Sequence, residues 1–230
     1  MKKSLFTILF IYSLTTICLG QEDRSGGKSY KYQPSLGNGV FKEDFKANKV
    51  QGSPYLISSF FNVKVDGVNE KSKMRYNVFK DEFEFIGPKN DTLILEKIED
   101  FKTLTFENTN TKYQLVNYIN LDEKFEFGYL INIFENKDFG LFKKETMYFT
   151  EEKIAKTTLE QTKPAKYSNG DAIYFLKSKD KVFEFPKNKK RLCKLFEIKK
   201  EAIENFVKEN KIDFDKESDK IKVVKFLSGL

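Results

Sequence analysis

The arrangement around Asp66-Gly67 constrains the fold of this chain more than any other feature. Residues 61–65 alternate apolar and polar side chains, and residues 74–78 resume the alternation after a polar stretch. Alternation is typical of strands with one buried face, and Asp-Gly supplies the positive φ angles of a hairpin turn. The sequence therefore predicts a β-hairpin here, with a loop lengthened by the polar residues 68–72.

The same pattern recurs along the chain, so we expect the hairpin to belong to a larger meander. Residues 136–140 and Ser178-Lys179-Asp180 are rich in turn-forming side chains and predict two further hairpins. The remaining predicted strands cover residues 83–85, 92–95, 104–106, 112–120, 125–133, 141–149, 172–176 and 182–185.

Beyond Pro186 the apolar residues take up helical spacing. Residues 192–196 fit a short helix, residues 198–207 fit a longer one that ends at Asn210, and Asp215 is predicted to cap a third. Helices this short are not stable alone in water, so we expect them to pack on the sheet. The predicted fold class is α+β: an antiparallel meander of hairpins with a short helical C-terminal segment on the sheet.

The beginning of the chain has the pattern of a secretory signal peptide. Lys2 and Lys3 precede an apolar core, and Gly20 is a small residue suited to a cleavage site. Cys18 leaves open the alternative of a lipoprotein, although Ile17 stands where a lipobox has a small residue. We expect export to the periplasm or the outside, with cleavage near Gly20.

Four segments follow from these patterns. We expect a signal peptide over residues 1–20, a flexible Gly- and Ser-rich linker over 21–38, a β-rich domain over 39–186 and a helical segment over 187–230. The helical segment is expected to belong to the same globule as the β-rich domain.

The absence of histidine restricts the chemistry of this chain. None of the 230 residues is histidine, which excludes Ser-His and Cys-His nucleophilic sites, histidine bases and histidine metal ligands. Cys193 is the one cysteine beyond the predicted signal peptide, and its apolar neighbours favour a buried side chain over a nucleophile. We assign no catalytic residue, no cofactor and no metal ligand, and we expect a protein that is not an enzyme.

The carboxylates are the best remaining candidates for catalysis. Glu82 and Glu84 should share one face of a strand, and glycosidases use paired carboxylates. A carboxylate-dependent hydrolase acting on an envelope or extracellular substrate is therefore the alternative function.

Two other groupings have a chemical and a structural interpretation. Ser178 and Lys181 have the spacing of a Ser-Lys pair, but they flank a predicted turn, where both residues are common. The acidic residues between Asp213 and Asp219 resemble part of a calcium loop, but its glycine is missing, and negative charge at a helix start favours capping.

One basic run stands out in a chain of 41 basic and 34 acidic residues. It could contact the phosphates of envelope lipids, whereas a solvated face is the simpler interpretation. Export argues against nucleic acid as a partner. The run comprises Lys187, Lys189, Lys190 and Arg191.

The order of several short motifs resembles a family of uncharacterised exported proteins of Gram-negative bacteria. The motifs are Gly52-Ser53-Pro54-Tyr55-Leu56, Arg75-Tyr76-Asn77 and Leu141-Phe142-Lys143-Lys144, followed by a tail from Lys189 to Phe226. The resemblance covers the chain from about Gly52 onward. It implies export and a similar fold, and it brings no catalytic residue because that family has no assigned activity.

The function predicted from the sequence is a non-catalytic binding or structural component of the bacterial envelope. Two observations carry this prediction. The strands contain alternating aromatic residues, and the sequence lacks a polar catalytic set. A half-open sheet with helices at one end could hold a ligand in its mouth. The expected partner is a protein or a hydrophobic ligand.

Overall fold

The computed structural model describes residues 50–157 and 159–229. The predicted signal peptide, its cleavage near Gly20, Cys18 and the linker lie outside the described residues. Twelve strands and three helices are present in the described part of the chain. The strands are β1 Phe61–Val65, β2 Ser72–Asn77, β3 Glu82–Ile86, β4 Thr92–Ile94, β5 Thr103–Phe106, β6 Thr111–Ile119, β7 Phe125–Glu135, β8 Phe139–Lys144, β9 Met147–Thr150, β10 Lys166–Asn169, β11 Ile173–Ser178 and β12 Lys181–Glu184. The helices are α1 Lys189–Leu195, α2 Lys200–Glu209 and α3 Glu217–Ser228, with 3-10 turns at Glu99–Phe101 and Glu197–Lys199.

The predicted hairpin around Asp66-Gly67 is confirmed. β1 and β2 pair antiparallel with Phe61 opposite Met74, and Gly67 has a φ of +84°, in the region that favours glycine. Strands β3 and β4 continue on one side of this hairpin, while β5 pairs with β1 and leads to β6. Strands β1 to β4 form the antiparallel meander that the alternation predicts, whereas β5 pairs with β1 and not with its predecessor β4, so the prediction is wrong for β5.

The second half of the sheet closes on itself, which corrects the prediction of a purely antiparallel meander. Strands β6, β7, β8, β11 and β12 pair in that order, and β12 then pairs in parallel with β6 at Phe183 and Ile119. Five strands in which each neighbour is antiparallel can close only through one parallel pair, because the four reversals between the first and the fifth strand leave those two parallel. β6 is long enough to pair with both β5 and β12 along one edge.

Side chains on the ring strands point alternately to the inside and the outside of the ring, and the buried residues form three cores. The ring interior is filled by one buried side chain from each of its five strands. A second core lies on the outer face of β6 and β7, under the meander, and a third lies between the outer face of β8 and β11 and the helices. The interior side chains are Tyr118, Leu130, Phe142, Phe175 and Val182.

The turn between β2 and β3 joins the meander to the ring. Asp81 has a φ of +56° and accepts hydrogen bonds from Tyr76 Oη at 2.5 Å, Lys97 Nζ at 2.7 Å and the Tyr129 backbone N–H at 3.2 Å. Gly128 on β7 leaves the space for this carboxylate, because a Cβ there would collide with Asp81 Oδ2. The meander is therefore held on the ring by a partly buried polar contact as well as by apolar packing.

The single return strand predicted over residues 141–149 is wrong. β8 ends at Lys144, which pairs with Ile173, and the next ladder pairs Met147 of β9 with Asn169 of β10. Between these two ladders, the two residues after β8 stand opposite the three residues before β11. The extra residue interrupts the ladder as a β-bulge does. Glu145 lies in this break. The sequence also missed β10, whose residues are mostly polar.

The helices form as predicted and share a core with β8 and β11. Leu141 and Leu176 of the sheet pack in that core with Leu192, Ile203 and Val224 of the helices. In the described part of the chain, no helix combines the length and the apolar character needed to span a membrane.

The predicted cap of α3 is wrong. Lys216, and not Asp215, is the N-cap residue, and its side chain makes no cap hydrogen bond. Asp219 in the first turn of α3 reaches back to accept the backbone N–H of Asp213 at 3.0 Å. The backbone N–H of Asp215 is bound at 3.0 Å by the Asp213 side chain. Asp215 is therefore part of the preceding turn.

Candidate ligand-binding site

A cleft of about 310 Å³ opens on the outer face of the sheet, where the meander meets the ring. Its volume is at the lower end of the range of about 300–1,000 Å³ that is usual for ligand pockets. Tyr113, Ile131 and Lys143 form one row across its floor, because they are successive cross-strand partners on β6, β7 and β8. The apolar walls are formed by Leu56, Ile57, Phe61, Val78, Phe106 and Ile133.

A loosely paired carboxylate marks the polar end of this cleft. Glu145 approaches Lys143 Nζ only to 3.9 Å, and the two side chains are 22% and 26% exposed. Burial raises the pKa of Glu145, and the charge of Lys143 compensates only in part. The cleft therefore contains a carboxylate that the protein itself stabilises poorly.

Tyr76 on β2 and Tyr113 on β6 line the same cleft as Glu145. Burial raises the pKa values of Tyr113 and Tyr76, and the negative charge of Glu145 raises both further. The two ring centroids are 4.9 Å apart, and the Phe106 ring lies 5.7 Å from that of Tyr113. The carboxylate thus shares the cleft with aromatic side chains.

One wall of the cleft is held by a buried ionic network. Arg75 binds Glu84 Oε2 through Nε at 2.8 Å and Nη2 at 2.7 Å, and Asn77 Nδ2 donates to Glu84 Oε1 at 3.1 Å. Tyr55 Oη lies 2.9 Å from both carboxylate oxygens. The Arg75 guanidinium stacks 4.0 Å over the Tyr55 ring and 4.5 Å over the Phe60 ring.

This network fixes the charge states of its members. Burial alone would raise the pKa of Glu84, but hydrogen bonds from Asn77, Arg75 and Tyr55 lower it below its ordinary value. Burial and the Glu84 carboxylate raise the pKa of Tyr55 to about 12. Arg75 therefore lines the cleft with its charge already neutralised.

Two further cavities, of about 360 and 340 Å³, have ring-interior side chains among their walls. In the first, Glu126 accepts hydrogen bonds from Tyr118 Oη at 2.7 Å and Asn120 Nδ2 at 2.8 Å, and Lys144 contacts Tyr118 Oη. The hydrogen bond from Tyr118 is the main cause of the lowered pKa of Glu126. Both Glu126 oxygens already have protein partners, so this cavity offers a ligand less than the cleft does.

The two glutamates proposed for hydrolysis lie on one face of β3, as predicted. Asn77 and Arg75 are their cross-strand partners on β2. Both oxygens of Glu84 are bound by protein donors, whereas Glu82 Oε2 is buried and has no hydrogen-bond partner among the described residues. Glu84 is therefore a structural carboxylate, whereas one oxygen of Glu82 has no hydrogen bond within the described residues.

The structure also locates the other residues singled out in the sequence. Ser178 and Lys181 face each other across the β11–β12 turn and not on a helix. Cys193 is buried, and burial raises its pKa.

The other charged groups singled out in the sequence lie near the helices. Asp219 binds Lys222 Nζ at 2.7 Å, so its carboxylate is engaged within the protein. The basic run is exposed around the start of α1, where Asn188 accepts the backbone N–H of Arg191 at 3.0 Å.

Sequence reasoning missed the cleft and its carboxylate. Glu145 follows two lysines and precedes a threonine, a pattern that is common on solvated surfaces. The available signal was the interruption of the apolar pattern between Phe142 and Met147, which marks the break in the strand.

Comparison with protein-family models, with curated proteins and with solved structures found no match for this chain. The resemblance to exported proteins of Gram-negative bacteria therefore stays a prediction.

The substitutions Glu145→Gln and Glu135→Gln are expected to change stability in opposite directions. Glu135 is matched to Glu145 in exposure, at 23%, but it binds Lys177 Nζ at 2.5 Å. Burial would raise the pKa of Glu135, but Lys177, Gln114 and Asn132 lower it. At neutral pH we expect Glu145→Gln to raise the free energy of unfolding by up to about 1 kcal/mol, and Glu135→Gln to lower it by about 1–2 kcal/mol.

The pH dependence gives an independent check by denaturant titration. Glu145 keeps its proton in the folded state above its ordinary pKa of 4.5, so its contribution to stability falls as pH rises from 4.5 through the raised value. Glu135 contributes stability that is lost as pH falls through its lowered pKa. A loss of stability at neutral pH in both variants would contradict the poor stabilisation of Glu145.

Proposed function

We propose that this protein is an exported, non-catalytic binding protein of the bacterial envelope that holds a small amphiphilic molecule in the cleft. The observation that carries the proposal is the cleft itself, with apolar walls from three strands and the segments beside them, and with one loosely paired carboxylate. Ligand pockets typically combine an apolar lining with a few polar groups that orient the ligand.

The surroundings of the cleft support binding. Its floor belongs to strands that are paired on both edges, and Tyr76 and Tyr113 are almost fully buried beneath it. Leu56 and Ile57 at the rim are 42% and 55% exposed, which leaves apolar surface available to a ligand. A preformed site of this kind requires little ordering when a ligand binds.

Native mass spectrometry of the protein, purified gently from its own host envelope, tests the proposal. We expect additional mass that disappears on denaturation. Ile57→Asp should lose that mass because it places a charge at the cleft rim, and Ile154→Asp is the control, since Ile154 is 69% exposed and does not line the cleft. A bare mass for the wild type, or additional mass that survives Ile57→Asp, would overturn the proposal.

The same measurement tests export. The intact mass distinguishes cleavage after Gly20 from acylation of Cys18. Peripheral contact with envelope lipids through the basic run around Lys189 is part of the proposal, and binding to anionic vesicles that weakens with salt would support it.

A carboxylate-dependent hydrolase is the second candidate function. The buried, unpartnered Glu82 Oε2 favours it, and the full hydrogen bonding of Glu84 opposes it. Hydrolysis of a glycan or ester by the purified protein, abolished by Glu82→Gln, would replace the binding proposal.

A further inference from the structure

The Glu145 carboxylate has unused capacity to accept hydrogen bonds. An ionised carboxylate offers about four acceptor sites on its two oxygens. Among the described residues, none donates a hydrogen bond to Glu145, and the 3.9 Å approach of Lys143 is longer than a charge-assisted hydrogen bond of about 2.7–2.9 Å. Within the described part of the protein, the Glu145 carboxylate therefore lacks a hydrogen-bond donor.

The other cation in the cleft does not supply them. Arg75 directs Nε and Nη2 to Glu84, and its Nη1 donates to the Ser58 carbonyl at 3.3 Å. All three guanidinium nitrogens are thus engaged in the cleft wall. Lys143 is the single cation whose charge faces Glu145 within the cleft lining, and it pairs loosely.

Aromatic side chains in the cleft lining favour a positively charged ligand as well. Tyr76, Tyr113 and Phe106 all line the cleft, and aromatic ring faces attract cations by about 0.5–2 kcal/mol depending on desolvation. A carboxylate beside aromatic rings is a combination that recognises ammonium groups. An anionic ligand would instead meet the negative charge of Glu145.

We infer that the ligand of the cleft is a hydrophobic ammonium compound. Its apolar body lies against Ile131, Ile133 and Leu56, and its ammonium group donates hydrogen bonds to Glu145, displacing the loose contact of Lys143. This inference rests on the proposed function, because it names the class of ligand for the same cleft.

Three probes that differ only in their head group test the inference. Decylammonium, 1-decanol and decanoate are titrated against the wild-type protein at neutral pH, with displacement of the neutral dye N-phenyl-1-naphthylamine as readout. We expect decylammonium to bind about tenfold more tightly than decanol, and decanoate to bind most weakly, because one charge-assisted hydrogen bond contributes about 1.5–3 kcal/mol.

Two variants of the Glu145–Lys143 ion pair are expected to change the affinity for decylammonium in opposite directions. Glu145→Gln should lower the affinity for decylammonium about tenfold and leave that for decanol unchanged. Lys143→Met should raise the affinity for decylammonium, since it removes a competing cation. Glu135→Gln and Lys177→Met, at the matched pair outside the cleft, should alter neither affinity.

The pH dependence keeps the test valid if Glu145→Gln folds poorly. The charged or titratable groups around Glu145 in the cleft lining are Lys143, Arg75, Tyr76 and Tyr113, and Glu145 is the one carboxylate among the residues that line the cleft. Decylammonium affinity of the wild type should therefore fall as pH falls through the raised pKa of Glu145, while decanol affinity stays constant.

The outcomes separate the inference from the proposed function. Tighter binding of decanoate, or equal binding of all three probes, overturns the inference and leaves a binding cleft. Failure of the dye and of every probe to bind overturns the proposed function as well.

Discussion

Replacing Phe83 by alanine is expected to lower the free energy of unfolding by about 3–5 kcal/mol, the range for removal of a buried aromatic ring. Phe83 is fully buried, and its ring lies 4.8 Å from Tyr129, 4.9 Å from Tyr76 and 5.2 Å from Tyr113. Its contacts with Tyr129 and Tyr113 are edge-to-face, a geometry that adds to the burial of apolar area. Alanine would leave a cavity at the centre of this cluster.

Denaturant unfolding at neutral pH measures the effect, and Phe125→Ala is the matched control. Phe125 is 82% exposed, so its replacement should change stability by less than about 0.5 kcal/mol. Phe83→Leu should fall between the two, which provides a measurement if the alanine variant does not fold. Equal stability of Phe83→Ala and Phe125→Ala would show that this aromatic cluster does not hold the meander on the ring.

The hairpins could be predicted from the sequence because their determinants are local. Residues 61–65 alternate, and Gly67 supplies the positive φ that the turn needs. The same holds for the β11–β12 hairpin, where Lys179 adopts a φ of +55° in a short polar turn. Turn-forming residues and the two-residue period of a strand can both be recognised from neighbouring positions in the sequence.

Closure of the ring could not be predicted, because it depends on contacts between residues far apart in the sequence. Phe183 meets Ile119 across more than sixty residues of chain, and no local pattern encodes that pairing. The apolar–polar alternation is also interrupted on β11, because the consecutive residues Phe175 and Leu176 are both buried, at 1% and 0% exposure. Phe175 fills the ring and Leu176 packs against the helices, so both faces of the strand are apolar.

The site was harder to predict than the fold, because surface and buried carboxylates look alike in a sequence. The sequence makes Glu84 a candidate for catalysis, yet Arg75 opposite it on β2 makes it a structural anion. Glu145 has the sequence neighbours of a solvated charge, yet the break after β8 places it in a cleft. Burial decides both roles, and burial at these positions follows from long-range pairing.

Replacing Glu84 by alanine is expected to lower the free energy of unfolding by about 3–5 kcal/mol, as for removal of one partner from a buried ion pair. The side chains of Glu84 and Arg75 are 9% and 21% exposed, so the substitution leaves a largely buried guanidinium without its carboxylate. Tyr55 and Asn77 lose their hydrogen-bond acceptor at the same time. Glu82→Ala, at the neighbouring position on the same strand face, should cost about 1 kcal/mol or less because its buried oxygen has no partner to lose.

Two further measurements distinguish a buried ion pair from a packing effect at Glu84. The double variant Arg75→Met with Glu84→Met should recover most of the lost stability, because it removes both charges and keeps apolar volume. In the wild type, the contribution of Glu84 is complete above its ordinary pKa of 4.5 and is lost as pH falls through its lowered value, so Glu84→Ala should flatten the acid side of the stability profile. If the double variant is as unstable as Glu84→Ala and the acid profile is unchanged, the stabilising interaction at this position is side-chain packing and not the charge pair.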